Sequence, residues 1–458
     1  MPRALFIAYD FPPRPVIAAL RIGGLVKYLP QFGWEPIVLT PESGAGVRPV
    51  VRLIETQYRD VLTELKGKFG MSRSRGLHEQ WRLSFSKVPG SPHWHTRVID
   101  WIASVVTFPD YTKGWLPFAK SAIDELATRE NIDVIIASSP PITTQLLGAY
   151  AKRVLNCPWI ADLRDLWAGP PSPLTRNSFL QKRLELRTLG RADALVTVSD
   201  RWADFLRDRY KDKPVYSIVT GFDAEEEETS APPTTSQFSI TYAGDLYGGR
   251  RDPAPLFQAL QELFQQGLIT PESVCVRFYG SKDPWLHASI ERYGLRTVVE
   301  ANGTIPRNEV LQREKESQIL LLLAMNVATD DGCYPGKLFE YLAARRPIMA
   351  IGGLKGVTSE LLSRTGAGAH LLSPADIRAF LLNAYLQYRT SGSVTYSGIP
   401  SEVEQYTHRD MARRFAHLSD KLCRIRATQM HTSVTRQEPG ALLASEQPQP
   451  ENSKQLQS

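Results

Sequence analysis

Residues 319–351 read ILLLLAMNVATDDGCYPGKLFEYLAARRPIMAI. Ile319 to Ala324 is an unbroken apolar run of strand length and Pro347 to Ile351 is a second, the pattern of strands buried on both faces of a sheet. Between them, Pro335 and Gly336 precede a helix expected from Lys337 to Arg345. Strand, helix and strand in that order make the repeating unit of a parallel α/β sheet. The amides of Gly336, Lys337 and Leu338 would point out of the first turn of the helix, where its dipole favours an anion such as a phosphate. Glu340 lies one turn in, placed either to accept hydrogen bonds from a ribose diol or simply to stabilise the helix start.

The same alternation extends in both directions. Ser239 to Ala243, Val274 to Tyr279 and Val298 to Ala301 are further strands of this half, with helices at about Pro255 to Gln266 and Arg307 to Ser317. In the first half, Leu5 to Tyr9, Pro36 to Thr40, Val134 to Ser138, Trp159 to Leu163, Ala194 to Val198 and Val215 to Val219 are strands, and Ala18 to Phe32 is helical. Asp223 to Ser236 interrupts the pattern with an acidic run and Pro232-Pro233, which fits a linker. The expected division is a doubly wound domain over 1–222, a linker over 223–236, and a second doubly wound domain over 237–402. Leu382 to Arg389 and Met411 to Arg426 read as closing helices, the last within 403–426, and the polar remainder, 427–458, as a disordered tail.

The chain has 458 residues, of which 42% are hydrophobic, 9% aromatic and 22% charged. That is globular composition with ample core for two to three domains, and it excludes a wholly disordered or fibrous chain. Its apolar runs are far shorter than the roughly 20 residues that cross a bilayer, and Met1-Pro2-Arg3 leads directly into a strand, so a cytosolic location is expected. The four cysteines lie far apart with no paired spacing, which argues against a disulfide scaffold or a zinc site. The formal net charge of +6 is small for this length and does not favour nucleic acid over anionic lipid or nucleotide-linked substrates. One stretch, about 66–97, mixes seven Lys or Arg with Phe69, Trp81, Phe85 and Trp94. It suits an anionic membrane surface or an acceptor phosphate, or is a solvated insertion packing its aromatics on its own domain.

In open parallel sheets, ligands bind outside the carboxyl ends of the strands. Asp162, Arg164 and Asp165 sit at such an end, where buried charge is costly unless paired or used. They could orient a substrate, or form an ion-pair cluster that ties loops together. The second domain opens with Gly244, Gly248 and Gly249 ahead of Arg250 and Arg251, a loop whose backbone and charges suit a diphosphate, although the arginines could also be merely solvated.

Taken together, these residues resemble GT-B-fold glycosyltransferases of the family 4 / group 1 type over nearly all of residues 3–425. Phe11-Pro12-Pro13 with Arg21, Tyr28 to Pro36, Pro109-Asp110, Ser138 to Pro141 and Asp162 to Trp167 are similar to a bacterial surface-polysaccharide branch. Lys337 to Ala343 with Arg346-Pro347 resemble the nucleotide-binding helix of the family. The resemblance implies two sheets facing across a cleft, a nucleotide-diphosphate sugar held by the C-terminal domain, an acceptor held by the N-terminal domain, and retained glycosidic bonds without a metal or other cofactor. It assigns the ribose to Glu340, the diphosphate to the amides at Gly336, Lys337 and Leu338, a phosphate-binding charge to Arg251, and the domain crossover to Gly221. Gly244 and Arg250 would complete the nucleotide site.

The chain departs from the family pattern at Gly332, which stands where a second Glu often contacts the donor sugar, leaving Asp331 as the nearest carboxylate. Arg14-Pro15 replaces a glycine pair, and Asp245 replaces an Arg. The implied activity is transfer of a sugar to a glycan or lipid-linked acceptor in cell-surface polysaccharide or glycolipid synthesis, with peripheral contact to an anionic membrane and none to nucleic acid. Asp162, Arg164, Asp165 and Asp331 are the candidates for orienting the reacting groups. The competing readings are a nucleotide-sugar epimerase or a non-catalytic nucleotide-sugar binding protein, and, more distantly, a membrane- or nucleic-acid-binding interaction protein.

Overall fold

The computed structural model describes the chain apart from residues 15, 43–49, 62–106, 169–178, 227–234, 281–282, 326–331 and 436–458. The basic, aromatic stretch at 66–97 and Asp331 therefore lie outside the described residues.

The first sheet contains β1 (Arg3–Ala8), β2 (Glu35–Pro41), β3 (Arg52–Thr56), β4 (Val134–Ser139), β5 (Trp159–Leu163), β6 (Ala194–Thr197) and β7 (Val215–Ser217). Their order is β3-β2-β1-β4-β5-β6-β7 and every pairing is parallel. The second contains β8 (Phe238–Ala243), β9 (Val274–Tyr279), β10 (Val299–Gly303), β11 (Ile319–Leu323), β12 (Ile348–Ile351) and β13 (Gly368–Leu371), ordered β10-β9-β8-β11-β12-β13 and again parallel. In both sheets the winding reverses beside the first strand, between β1 and β4 and between β8 and β11. A reversal of this kind opens a crevice at the carboxyl ends of the two strands that flank it.

The helices are α1 (Ile17–Tyr28), α2 (Leu116–Arg129), α3 (Thr143–Leu155), α4 (Phe179–Leu189), α5 (Asp200–Arg209), α6 (Ala254–Gln265), α7 (Pro284–Arg292), α8 (Arg307–Glu316), α9 (Gly336–Ala344), α10 (Val357–Thr365), α11 (Pro374–Ser391) and α12 (His408–Thr435). Side chains alternate across each strand. Leu5 and Ile7 of β1 join a core with Ile123 of α2 and Leu147 of α3, while Ala4 and Phe6 face Ile22 of α1 and Phe415 of α12. The second sheet is covered in the same way, by Leu256 and Leu381 on one face and by Leu338 and Leu361 on the other.

The last helix thus packs into the core of the first domain although the chain reaches it from the second. The two crossings of the chain lie side by side, with the Phe222 amide donating to Tyr406 O at 2.9 Å and the His408 amide to Phe222 O at 2.7 Å. Gly221 sits there because a Cβ would overlap the backbone of Tyr406 and Thr407.

Several element limits differ from the sequence expectation. β3 and β13 are edge strands, short and with little apolar pattern, which is how sheet edges avoid pairing with other chains. Helix α11 starts at Pro374, eight residues ahead of the expected Leu382, because Ser373 caps it by accepting the Asp376 amide at 3.1 Å. Helix α12 continues to Thr435, so residues 427–435 of the expected tail are helical. No Gly or Pro stands between Pro400 and Pro439 to stop it. No helix among the described residues is long and apolar enough to cross a membrane.

Candidate functional site

At the reversal point of the second sheet, the loop after β8 and the approach to α9 meet. A single phenol sets their relation: the buried Tyr341 hydroxyl accepts the Ala243 amide at 3.2 Å and donates to Leu321 O at 3.1 Å, tying α9 to both β8 and β11. Gly244 follows β8 with φ +145, a conformation L side chains rarely adopt, and a Cβ there would overlap the amine end of Lys337. The Lys337 ammonium therefore lies against the Gly244 loop at the mouth of α9. Burial pushes its pKa down, with Glu340 opposing the shift and Arg251 adding to it. The Arg251 Nε is buried without a hydrogen-bond partner, and its guanidinium stacks 4.9 Å above the Tyr247 ring. Neither Lys337 nor Arg251 forms an ion pair among the described residues. Two cations converge here with nothing to neutralise them fully, which is a demand for an anion.

Glu340, half-buried, meets Arg307 Nη2 at 3.4 Å. Behind it on α8 lies Glu314, inaccessible to solvent and with no partner for either carboxyl oxygen. Burial first, and then the neighbouring Glu340, hold the Glu314 pKa well above the usual carboxylate range. Sequence reading did not single out Glu314, because a glutamate in a Lys- and Arg-rich helix reads as a solvated face.

Two expectations for this site change in detail. The Leu338 amide is engaged within its own turn, donating to Pro335 O at 2.9 Å, which leaves Gly336 and Lys337 at the helix opening. The Gly244 amide donates to Tyr279 O at 2.6 Å, so this glycine contributes room for Lys337, not a free donor. Arg250 is exposed beside the same loop.

The trio at the end of β5 divides. Asp162 is inaccessible to solvent and receives Arg21 in a two-point ion pair, Nη2 to Oδ1 at 2.8 Å and Nε to Oδ2 at 3.2 Å, plus the Ser138 hydroxyl at 2.7 Å. Arg21, also inaccessible, donates further to Thr220 Oγ1 and Ile218 O. Both oxygens of Asp162 are therefore taken, and it sits in the core, not in the cleft. Arg164 and Asp165 do reach the surface. Arg164 donates to Pro140 O and keeps a buried Nε without a partner, and burial lowers its pKa. Asp165 keeps an open face although protein surrounds it, and that partial desolvation raises its pKa.

At the end of β1, sequence reading missed an aromatic group. Tyr9 meets Tyr58, Tyr111 and Trp115 edge-on at 5.7, 6.3 and 5.9 Å, with Arg14 over its ring. Tyr58 follows the edge strand whose pattern was too weak to recognise.

The two domains touch around these carboxyl ends. The Ser199 hydroxyl donates to Gly332 O at 2.7 Å, Trp202 packs on Gly332, Ile17 packs on Gly336, and Arg201 pairs with Glu360 at 2.7 Å.

Residues 18–216 match the family described as a glycosyl transferase 4-like domain. Among solved structures, Anabaena HepE in complex with UDP and glucose is similar at 13% identity, over 92% of this chain and 100% of that one, with a TM-score of 0.58. A glycosyltransferase from Rickettsia africae is similar at 13% identity over 92% and 98%, with a TM-score of 0.57. Sucrose-phosphate synthase from Thermosynechococcus elongatus is similar at 13% over 96% and 100%, with a TM-score of 0.53. No curated protein matches the sequence. Residues 18–216 therefore match the glycosyl transferase 4-like domain family, and the chain as a whole has the two-sheet GT-B fold of these structures.

Proposed function

We propose that this protein is a glycosyltransferase that moves a sugar from a nucleotide-diphosphate donor, held on the second domain, to a hydroxyl of a glycan or lipid-linked acceptor held on the first, with retention of configuration, in cell-surface polysaccharide or glycolipid synthesis. The observation that carries the donor assignment is the pair of cations at the opening of α9, Lys337 over Gly244 and Arg251 beside it, with Glu340 one turn in. In this reading Glu340 accepts the ribose hydroxyls, and Lys337, Arg251 and the amides of Gly336 and Lys337 hold the diphosphate. That UDP and glucose occupy HepE makes UDP the first nucleotide to try.

The bond between the anomeric carbon and the diphosphate oxygen breaks as the bond to the acceptor oxygen forms. Charge gathers on the departing diphosphate, where the two cations and the helix opening are already in place to stabilise it. The acceptor proton passes to that diphosphate, so no protein nucleophile is required, and the gain from holding both substrates in register comes from the two facing domains. Arg164 and Asp165, at the carboxyl edge of the first sheet, orient the acceptor. Asp162 acts only through Arg21, as structure. The protein works in the cytoplasm, at the inner face of the membrane where a lipid-linked acceptor would be met.

The test is product analysis with UDP-, GDP-, ADP- and dTDP-sugars, with and without Mg²⁺ and with and without an extract of lipid-linked saccharides. Nucleoside diphosphate released only when acceptor is present, and lost in Lys337→Ala/Arg251→Ala, supports transfer. A donor sugar altered without acceptor would mean an epimerase, and an unaltered donor would mean a binding protein.

A further inference from the structure

The segment Gly332–Gly336, which leads into α9, is gripped from the other domain at both ends. At Gly332 the Trp202 indole fills the space a Cβ would need, and at Gly336 the Ile17 side chain does the same. Ser199 is fully buried, and its hydroxyl has two duties: it accepts the Trp202 amide at 3.3 Å, capping α5, and donates to Gly332 O at 2.7 Å. One side chain thus starts a helix in the first domain and holds the approach to a helix in the second. The Ser199–Gly332 hydrogen bond is buried and directional, unlike the exposed Arg201–Glu360 pair nearby, which water screens.

We infer that Trp202 and Ser199 are positioning residues of the donor site: from the acceptor-side domain they hold the Gly332 backbone, and so fix the first turn of α9 against the Gly244 loop. This rests on the reading of α9 as the helix that holds the diphosphate. Neither residue touches the reacting atoms; both act through Gly332. The consequence is that nucleotide affinity depends on side chains of the domain that does not hold the nucleotide, because the segment that aims Gly336 and Lys337 is shaped across the domain boundary. Glycine at 332 is then required for fit: any side chain there displaces the indole.

A size exchange tests this. Among UDP, GDP, ADP and dTDP, the nucleotide that binds the wild type is titrated into the variants. Gly332→Ala is expected to weaken binding about tenfold, and Gly332→Ala/Trp202→Leu to recover most of the loss by giving the methyl group room. Ser199→Thr keeps both hydrogen bonds and is expected to bind as wild type. Ser199→Asp keeps the cap but cannot donate to the carbonyl, and is expected to bind more weakly. Wild-type affinity in Gly332→Ala, or no recovery in the double variant, overturns the inference.

A wild type that binds none of the four nucleotides would refute the donor reading instead. Hydrogen exchange on the unliganded protein therefore decides the positioning role by itself. Exchange across Gly332–Leu342 is expected to quicken in Trp202→Ala and stay at the wild-type rate in Trp202→Phe. An unchanged rate in Trp202→Ala would overturn the inference.

Discussion

Asp162, at the end of β5, and Glu314, near the end of α8, are equally closed to solvent, each with 0% of its surface exposed. Around Asp162 every need is met: Arg21 grips both oxygens and Ser138 adds a third hydrogen bond. Around Glu314 none is met, and the groups that sense its charge are Glu340 and Tyr341 on α9, Lys337 at the opening of that helix, and Arg307 on its own. The first domain uses its buried charge to lock α1, β4, β5 and the crossover into one unit. The second leaves charge unbalanced where a ligand can settle it. Unsatisfied buried polar groups are rare in folded proteins, and those that persist are found at functional sites. The difference separates a carboxylate whose needs the fold meets from one whose needs it leaves open, which sequence position alone does not, since Asp162 was the more suggestive of the two.

The strongest way to break this comparison is to unpair the first carboxylate. Asp162→Ala leaves Arg21 charged and alone in the core, and is expected to cost about 3–5 kcal/mol of stability in urea unfolding. A loss under 1 kcal/mol would mean the pair is not the lock described here.

Acid titration sharpens the comparison, because buried groups in the two domains respond with opposite sign. His408, at the start of α12 and with an unpartnered buried Nε2, has its pKa pushed down to about 4, chiefly by burial. A base with a depressed folded pKa binds fewer protons folded than unfolded, so its contribution is whole above pH 6.5 and lost as the pH falls towards 4, by about 3 kcal/mol. His408→Gln is expected to remove that acid-side loss from a pH series of unfolding curves, and the same loss persisting in the variant would contradict it.

Glu314 gives the reverse sign. Its folded pKa is raised, so its contribution is whole below the unfolded value near 4.3 and declines as the pH rises through the folded value. Glu314→Gln keeps the shape without the titration. It is expected to differ from wild type by less than about 1 kcal/mol at pH 5 and to be the more stable of the two at pH 8. Thermal unfolding at the two pH values checks this smallest of the effects. A wild type that gains on the variant as the pH rises would show that Glu314 is ionised and paired.

Much of the scaffold was legible because parallel sheets write themselves as apolar runs. Trp159 to Leu163 and Val274 to Tyr279 have the limits read from their sequence, while the edge strands Arg52–Thr56 and Gly368–Leu371 carry no such run. That Lys337, Arg251 and Glu340 lie around one loop and one helix opening was legible from the glycine loop after β8 and the Pro335-Gly336 start of α9. Glu314 was not, since its burial arises from the packing of α8 on α9. Nor was the grip of Trp202 on Gly332, which joins residues far apart in the chain. Asp162 misled because charge at a strand end looks the same in sequence whether it faces a ligand or the buried Arg21.

The central claim is that the second domain holds a nucleotide diphosphate at the opening of α9. Calorimetric titration of the wild type and of Glu340→Ala with UDP, GDP, ADP and dTDP, with and without Mg²⁺, tests it most directly. The account predicts that one of the four binds the wild type selectively and that Glu340→Ala weakens it about tenfold or more, the loss of a charged hydrogen-bond acceptor. No binding to the wild type, or equal affinity in the variant, would contradict it.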